Sequence, residues 1–172
     1  MVDTHSRKAY KGMKAFLSTD GLMGVAITKD GDIVSVFSRS KSRNAVNKLI
    51  AFAVANGGRK LDAYGGGLQN MYARLGGKMH ARVKFDEQYA PKGWDKKSRY
   101  DVVAMSMPKS LDALVKSYRD GGKAHIENVP YAADYGEMIE KRDREMSNPR
   151  SGIGLSDGRR PTKPNGKEFI SS

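Results

Sequence analysis

The chain has 172 residues with 38% apolar side chains, enough for one hydrophobic core, and no segment approaches the roughly 20 apolar residues of a membrane-spanning helix. It has no cysteine and only three scattered histidines (His5, His80 and His125), which excludes disulfides, thiolate metal sites and a cysteine nucleophile and makes a zinc site unexpected. The formal net charge of +12 favours polyanionic partners, but the basic residues are spread along the chain, which is more typical of solubility with weak, non-specific attraction to nucleic acid than of a dedicated groove.

Two short apolar runs near the start predict a β-hairpin. The runs cover residues 24–28 and 32–37, are rich in β-branched side chains, and are separated by Lys29, Asp30 and Gly31. An Asp-Gly pair between two such runs is a strong turn signal. We therefore expect the two runs to pair as antiparallel strands.

A polar turn over residues 38–43 leads from the second strand into a predicted helix. The apolar positions at helical spacing are Val46, Leu49, Ile50 and Ala53, and Asn56, Gly57 and Gly58 supply a helix stop. A turn between a strand end and a helix start leaves several backbone N–H groups facing outward. Such a turn can hold a pyrophosphate.

Strands and helices alternate in the next part of the chain. Residues 60–64 predict a short buried strand, and the glycines at 65–67 break it. A second helix is marked on one side by Leu68, Met71, Tyr72 and Leu75, and residues 79–85 predict a further strand.

The last third of the chain becomes progressively more polar. It predicts a loop over 86–100, a strand over 101–107, a helix over 110–118, and a mostly charged helix over 132–146 that is either solvated or held by a partner. The remainder is rich in Gly, Pro, Ser and basic residues and is not expected to fold alone. We expect a core at 1–108, a helical appendage at 109–146 and an extended basic tail at 147–172.

The order of these elements resembles the central portion of the GNAT superfamily of N-acetyltransferases. The segments that carry the resemblance are DIVSVFS, RSKSRNAV, NKLIAFAVANGG, KLDAY, LQNMYARLGG and MHARVKF, followed by an APxGW-like segment at 90–94 and DVV at 101–103. The resemblance covers about residues 12–108 and is greatest to phage-encoded and mobile-element members. It implies an α/β fold with a mixed, mostly antiparallel sheet flanked by helices, and a helical and extended C-terminal appendage.

The resemblance also implies a cofactor site for acetyl-CoA. The strand before the turn would bind the pantetheine arm through the backbone of Val36, Phe37 and Ser38. The helix start would bind the pyrophosphate through the N–H groups of Arg43, Asn44, Ala45 and Val46, with added charge from Arg39, Lys41 and Lys48. Tyr72 falls where the family commonly has a tyrosine that protonates the leaving thiolate, and Asn70 would hold the pantetheine or an ordered water. The turn has Asn44 and Val46 where the family usually has glycine.

Several of these residues have ordinary structural explanations that the sequence leaves open. Tyr72 lies at helical spacing from Leu68 and Leu75, so a half-buried core tyrosine is equally compatible with the pattern. The basic turn is also compatible with a solvated loop. His80 and His125 are expected to be ordinary surface or satisfied core histidines.

Two functional hypotheses follow from the sequence. The first is an N-acetyltransferase that moves an acetyl group from acetyl-CoA to an unknown amine, with no metal involved. The second is a catalytically degenerate phage virion or assembly component that contacts DNA or neighbouring phage or host proteins through its basic surface and C-terminal tail. Both place the protein in the cytoplasm or in a virion, without membrane partners.

Overall fold

The structure is a computed structural model that describes residues 7–87 and 100–148. The strands are β1 (Lys14–Leu17), β2 (Met23–Ile27), β3 (Ile33–Ser38), β4 (Lys60–Tyr64), β5 (Lys78–Val83) and β6 (Val102–Ser106). The helices are α1 (Arg7–Tyr10), α2 (Ala45–Ala55), α3 (Gly66–Arg74), α4 (Leu111–Asp120) and α5 (Tyr135–Ser147), and a 3-10 turn covers Ile126–Asn128. The chain is therefore a mixed α/β protein, as expected from its sequence.

The strands form two antiparallel sheets of three strands each. The first has the order β1-β2-β3 and the second the order β4-β6-β5. A parallel bridge between Asp32 and Lys60 joins the start of β3 to the start of β4. The predicted antiparallel pairing is thus confirmed within each sheet, and the parallel bridge between Asp32 and Lys60 lies at the junction of the two sheets.

The hairpin between β2 and β3 follows from its turn residues. The Thr28 N–H donates to the Asp32 carbonyl at 2.9 Å, and the Gly31 N–H donates back to the Thr28 carbonyl at 3.0 Å. Gly31 has a φ of 84°, which a side chain would strain. The predicted Asp-Gly turn is therefore confirmed.

The main hydrophobic core lies between the sheets and the helices α2, α3 and α4. Its fully buried members include Ile50 and Val54 of α2, Val103 and Met105 of β6, and Leu114 of α4. These residues recur at helical spacing in the helices and alternate along the strand, as an amphipathic element requires.

Helix α5 covers the opposite face of the second sheet. It packs against β5 and β6, and Met138 closes a small second core with Ala81 and Ala104, all three at 0% exposure. The charged composition of this segment predicted a solvated or partner-held helix. The structure differs because one side of α5 carries Met138 and Arg142, which are both buried against the sheet.

Some predicted segments lie outside the described residues. These are most of the predicted loop with its APxGW-like segment (88–99) and nearly all of the basic tail (149–172). In the described part, β1 is a strand that the sequence reasoning did not predict. None of the described helices is long and apolar enough to cross a membrane.

Candidate functional site

Strands β3 and β4 run in the same direction but pair at one position. Past the bridge between Asp32 and Lys60, β3 pairs with β2 and β4 pairs with β6, and no further pairing joins β3 to β4 in the described chain. The facing edges therefore separate towards Ser38 and Tyr64. We call this opening the β3–β4 wedge. An open strand edge binds extended chains through main-chain hydrogen bonds.

A β-bulge distorts β3 inside the wedge. Ser35 and Val36 of β3 both oppose the single residue Val25 of β2. Ser35 has a φ of 53°, in the left-handed region, and its Oγ accepts a hydrogen bond from the Tyr10 hydroxyl at 2.8 Å. Bulges redirect the backbone and are common next to active sites. The half-buried segment 36–38, assigned above to the pantetheine arm, follows directly after this bulge.

Helix α2 begins where β3 opens, and its first turn has no side-chain cap. Asn44 is the N-cap residue with a φ of 64°, and its side chain makes no hydrogen bond to the helix. The first turn contains no acidic residue. The Ala45 N–H donates to the Ser42 carbonyl at 3.3 Å, and the positive end of the helix dipole favours an anion beside the rest of the turn. Arg39, Lys41 and Arg43 lie exposed in the preceding turn, and Lys48 is exposed on the helix.

Asn47, in the same turn of α2, also has a polar group whose hydrogen-bonding capacity is not used within the described residues. Its Oδ1 is buried and has no hydrogen-bond partner within the part of the chain that the structure describes. A buried polar atom left without a partner costs about 1–3 kcal/mol. A donor that reaches this amide would recover that cost.

Tyr72 and Asn70 lie on different sides of α3, one buried and one exposed. Tyr72 is 5% exposed within the main core, and burial raises its pKa to about 12. Asn70 is exposed. The buried amide on this helix is instead Gln69, whose Nε2 donates to the carbonyls of Ala63 at 3.3 Å and Asp101 at 2.8 Å. Gln69 thus ties α3 to the end of β4 and the start of β6.

A buried arginine closes the narrow end of the wedge. Arg142 of α5 is 1% exposed and bonds Asp32 and Asp62 at 3.2 Å each and Asp143 at 2.9 Å. Lys60 adds contacts to Asp32 at 3.5 Å and to Asp143 at 3.2 Å. We call these five residues the junction cluster. The sequence reasoning missed it because its members are distant in sequence and have no motif.

Across residues 7–87 and 100–148, no group of three or more His, Cys, Asp or Glu side chains has an arrangement that could hold a metal ion. The carboxylates of the junction cluster are instead paired with cations.

Comparison with known proteins does not assign this chain to a family. No family model, no curated protein and no solved structure matches it. The functional argument therefore rests on the geometry of the wedge and on the chemistry of its residues.

Proposed function

We propose that the protein is an acetyl-CoA-dependent N-acetyltransferase with a GNAT-like core, acting on a primary amine. The observation that carries the proposal is the β3–β4 wedge, because it opens directly onto an uncapped, basic helix start. An extended arm with a polyanionic end fits this combination of open strand edges and outward N–H groups.

Each end of the cofactor would meet a different part of the chain. The backbone of Val36, Phe37 and Ser38 would bind the pantetheine arm by main-chain hydrogen bonds. The N–H groups of Arg43, Asn44 and Val46 would bind the pyrophosphate, with exposed cations of the same turn adding charge. The N–H of Ala45, the fourth residue assigned from the sequence, donates instead to the Ser42 carbonyl at 3.3 Å. The fit is supported by Asn44, whose left-handed backbone is the conformation that glycine usually supplies and that asparagine tolerates better than most residues.

The cofactor supplies an acetyl group activated as a thioester. The chain's own part is to hold that group beside the acceptor and to stabilise the leaving sulfur. A tyrosine with a pKa of about 12 gives up its proton reluctantly to a thiolate, whose acid has a pKa of about 8.5. We therefore assign Tyr72 the role of hydrogen-bond donor to sulfur, while a deprotonated amine attacks directly.

The connectivity also supports a GNAT-like core. Antiparallel strands lead to a parallel neighbour that pairs at its start and then separates, and a helix begins at the open end of each of these two strands. The first of these helices is α2 after β3, and the second is α3 after β4. The proposal needs this arrangement because a ligand between the two strands would contact the edges of both.

Calorimetry with acetyl-CoA tests the proposal. Arg43→Glu places a carboxylate beside the helix start, and we expect binding to weaken by at least about tenfold, equal to 1.4 kcal/mol. Lys29→Glu is the matched control, since this exposed cation lies in the hairpin at the closed end of the wedge. Equal losses in the two variants would mean that only overall charge matters. No binding by the unmodified chain would overturn the enzyme proposal and favour a scaffold function.

A further inference from the structure

His80 forms a hydrogen-bonded relay with a serine and a glutamate from two other elements. The His80 ring is 3% exposed, its Nε2 lies 2.7 Å from Ser106 Oγ, and its Nδ1 lies 2.7 Å from Glu145 Oε2. The three residues come from β5, β6 and α5. A nucleophile bonded to a base that is itself oriented by a third group is the arrangement used in nucleophilic catalysis.

The carboxylate fixes the position of the proton on the imidazole. An ionised glutamate can only accept, so Nδ1 carries the hydrogen that it donates to Glu145. In the neutral ring, Nε2 is then the acceptor, and Ser106 donates its hydroxyl hydrogen to it. This is the tautomer that a serine nucleophile needs from its base.

A β-bulge brings His80 to the correct face of the sheet. Lys78 pairs with Ser106 and Met79 pairs with Met105, but the next pair is Ala81 with Ala104, so His80 is an inserted residue. Consecutive residues His80 and Ala81 thereby both lie on the side covered by α5, where strict alternation would place one of them in the main core.

We propose that Ser106, His80 and Glu145 form a second catalytic site, independent of acetyl-CoA, that hydrolyses small carboxylic esters. Ser106 is the nucleophile, His80 is the general base and acid, and Glu145 is a positioning residue. Ser106 is half-buried, so the site suits small acyl groups.

The reaction proceeds in two balanced steps. In the first, Ser106 Oγ bonds to the ester carbonyl carbon while its proton passes to His80 Nε2. The bond from that carbon to the leaving oxygen breaks, and His80 returns the proton to the alcohol. In the second, water attacks the acyl-serine, gives a proton to His80, and releases the carboxylic acid while Ser106 regains its hydrogen.

The charges around the relay suit this chemistry. Burial lowers the pKa of His80 below its ordinary value, against the opposing influence of Glu145, and so favours the neutral ring, which can accept the serine hydrogen. Lys78 lies directly opposite Ser106 on the same face, and its Nζ is 3.8 Å from Glu145. Its side chain is 55% exposed, and it is placed to stabilise negative charge that develops on the carbonyl oxygen.

This site adjoins the closed end of the wedge, opposite the end to which the cofactor is assigned. Ser106 also pairs with Lys60, the first residue of β4, and so lies at the closed end of the wedge. The length of β4 separates the relay from the open end of the wedge, and ester hydrolysis is measured without acetyl-CoA, so the two proposals are tested separately.

Labelling with a fluorophosphonate tests the proposal without any cofactor. We expect mass spectrometry of the intact chain to locate the label on Ser106, and hydrolysis of p-nitrophenyl acetate to fall at least about 10²-fold in Ser106→Ala and in His80→Gln. Ser147→Ala is the matched control, since this serine ends the same helix as Glu145 and its hydroxyl donates only to the Asp143 carbonyl among the contacts described. It should retain both label and rate.

Other outcomes overturn the proposal. They are the absence of a label on Ser106, an equal label in folded His80→Gln, or hydrolysis that survives Ser106→Ala. Because His80 is buried, circular dichroism first establishes that its variant is folded. If the His80→Gln variant is not folded, the Ser106→Ala variant alone tests the proposal. That change removes only one oxygen atom from a half-buried side chain and should leave the fold intact.

A pH profile separates positioning by Glu145 from a merely structural role. The charged groups facing His80 are Glu145 and Arg142 from α5 and Lys78 from its own strand. The rate should fall as the pH drops through the His80 pKa, below 6.5, since the protonated ring cannot accept the serine hydrogen. Glu145→Gln removes the charge that favours the imidazolium, so the midpoint should move to lower pH and the rate at pH 7 should fall. An unchanged midpoint and rate would contradict the positioning role.

Discussion

Arg142 is the residue on which the junction of the two sheets depends most. Its guanidinium is almost fully buried and contacts three carboxylates, while each of those carboxylates keeps about a third of its side chain exposed. A buried cation of this kind is stable only if its donors are satisfied. The pKa of Asp143 reflects the same balance: burial acts to raise it, but hydrogen bonds and charges from Arg142 and Lys60 hold it below its usual value.

We predict that Arg142→Met lowers the free energy of unfolding by about 2–3 kcal/mol, because it removes the cation that three carboxylates share, and Lys60 contacts only Asp32 and Asp143 of the three. Urea unfolding measures the change. Lys141→Met is the control: its ammonium pairs with Glu137 at 3.1 Å on the helix surface, and its loss should cost less than about 1 kcal/mol. Equal costs would mean that the junction cluster adds nothing beyond an exposed pair.

The sequence does not identify residues of this kind. Arg142 lies in a stretch of mixed charges, EKRDRE, where any arginine is compatible with solvent, and two of its three acidic partners lie 80 and 110 positions earlier. His80 is a similar case, since the inserted residue of a bulge leaves no mark in the alternation of KMHARV. The sequence was compatible with either a core position or a catalytic role for Tyr72. Its burial agrees with the core position and does not test the catalytic role.

At the scale of elements, α5 begins with a reciprocal pair of caps. Asp134 Oδ1 accepts from the Glu137 N–H at 2.8 Å, and Glu137 Oε2 accepts from the Ala133 N–H at 2.6 Å. The two carboxylates also complement the helix dipole. These caps fix the position at which the helix begins. They thereby fix where Arg142 and Glu145, about two and three turns further along α5, face the sheet.

We predict that Asp134→Ala destabilises the protein by about 1 kcal/mol, since it removes the acceptor for a first-turn N–H. Asp134→Asn retains an acceptor oxygen and should cost clearly less. Thermal unfolding of the two variants measures the difference, and identical melting temperatures would show that the cap contributes nothing.

Elements with strong local signals could be predicted from the sequence. The Asp-Gly turn, the Asn-Gly-Gly stop after α2 and strand 60–64 all agree with the structure, because turn geometry and burial are specified there by adjacent residues. The packing of α5 could not be predicted by composition, since a few buried side chains are enough to dock a charged helix. The capping pair in the sequence DYGE was a usable signal of its start.

At the scale of the molecule, the charge distribution predicts weak and strongly salt-dependent binding to duplex DNA. Residues 149–172 contain five basic and two acidic residues, so nine of the twelve net positive charges belong to the rest of the chain. We expect a chain ending at Asn148 to keep most of the affinity for DNA at low salt, and both chains to lose binding as salt rises. Fluorescence anisotropy over a salt series measures this, and complete loss on truncation would instead identify the tail as a dedicated binding segment.

The overall class of the protein was accessible from sequence, whereas the sites were not. Alternating strand and helix patterns specify a mixed α/β chain. The wedge depends on where two parallel strands stop pairing, and that is decided by packing across the whole sheet rather than by residues within either strand.

The C-terminal half of α5 limits how this protein can be shortened. Arg142, Asp143 and Glu145 lie within four consecutive positions, yet they serve both the sheet junction and the histidine relay. A protease that cleaves after Lys141 would keep Met138 on the N-terminal fragment but remove Arg142, Asp143 and Glu145 in one cut. Any fragment made for crystallisation or design therefore has to extend past Glu145, although the hydrophobic pattern alone would allow it to end a turn earlier.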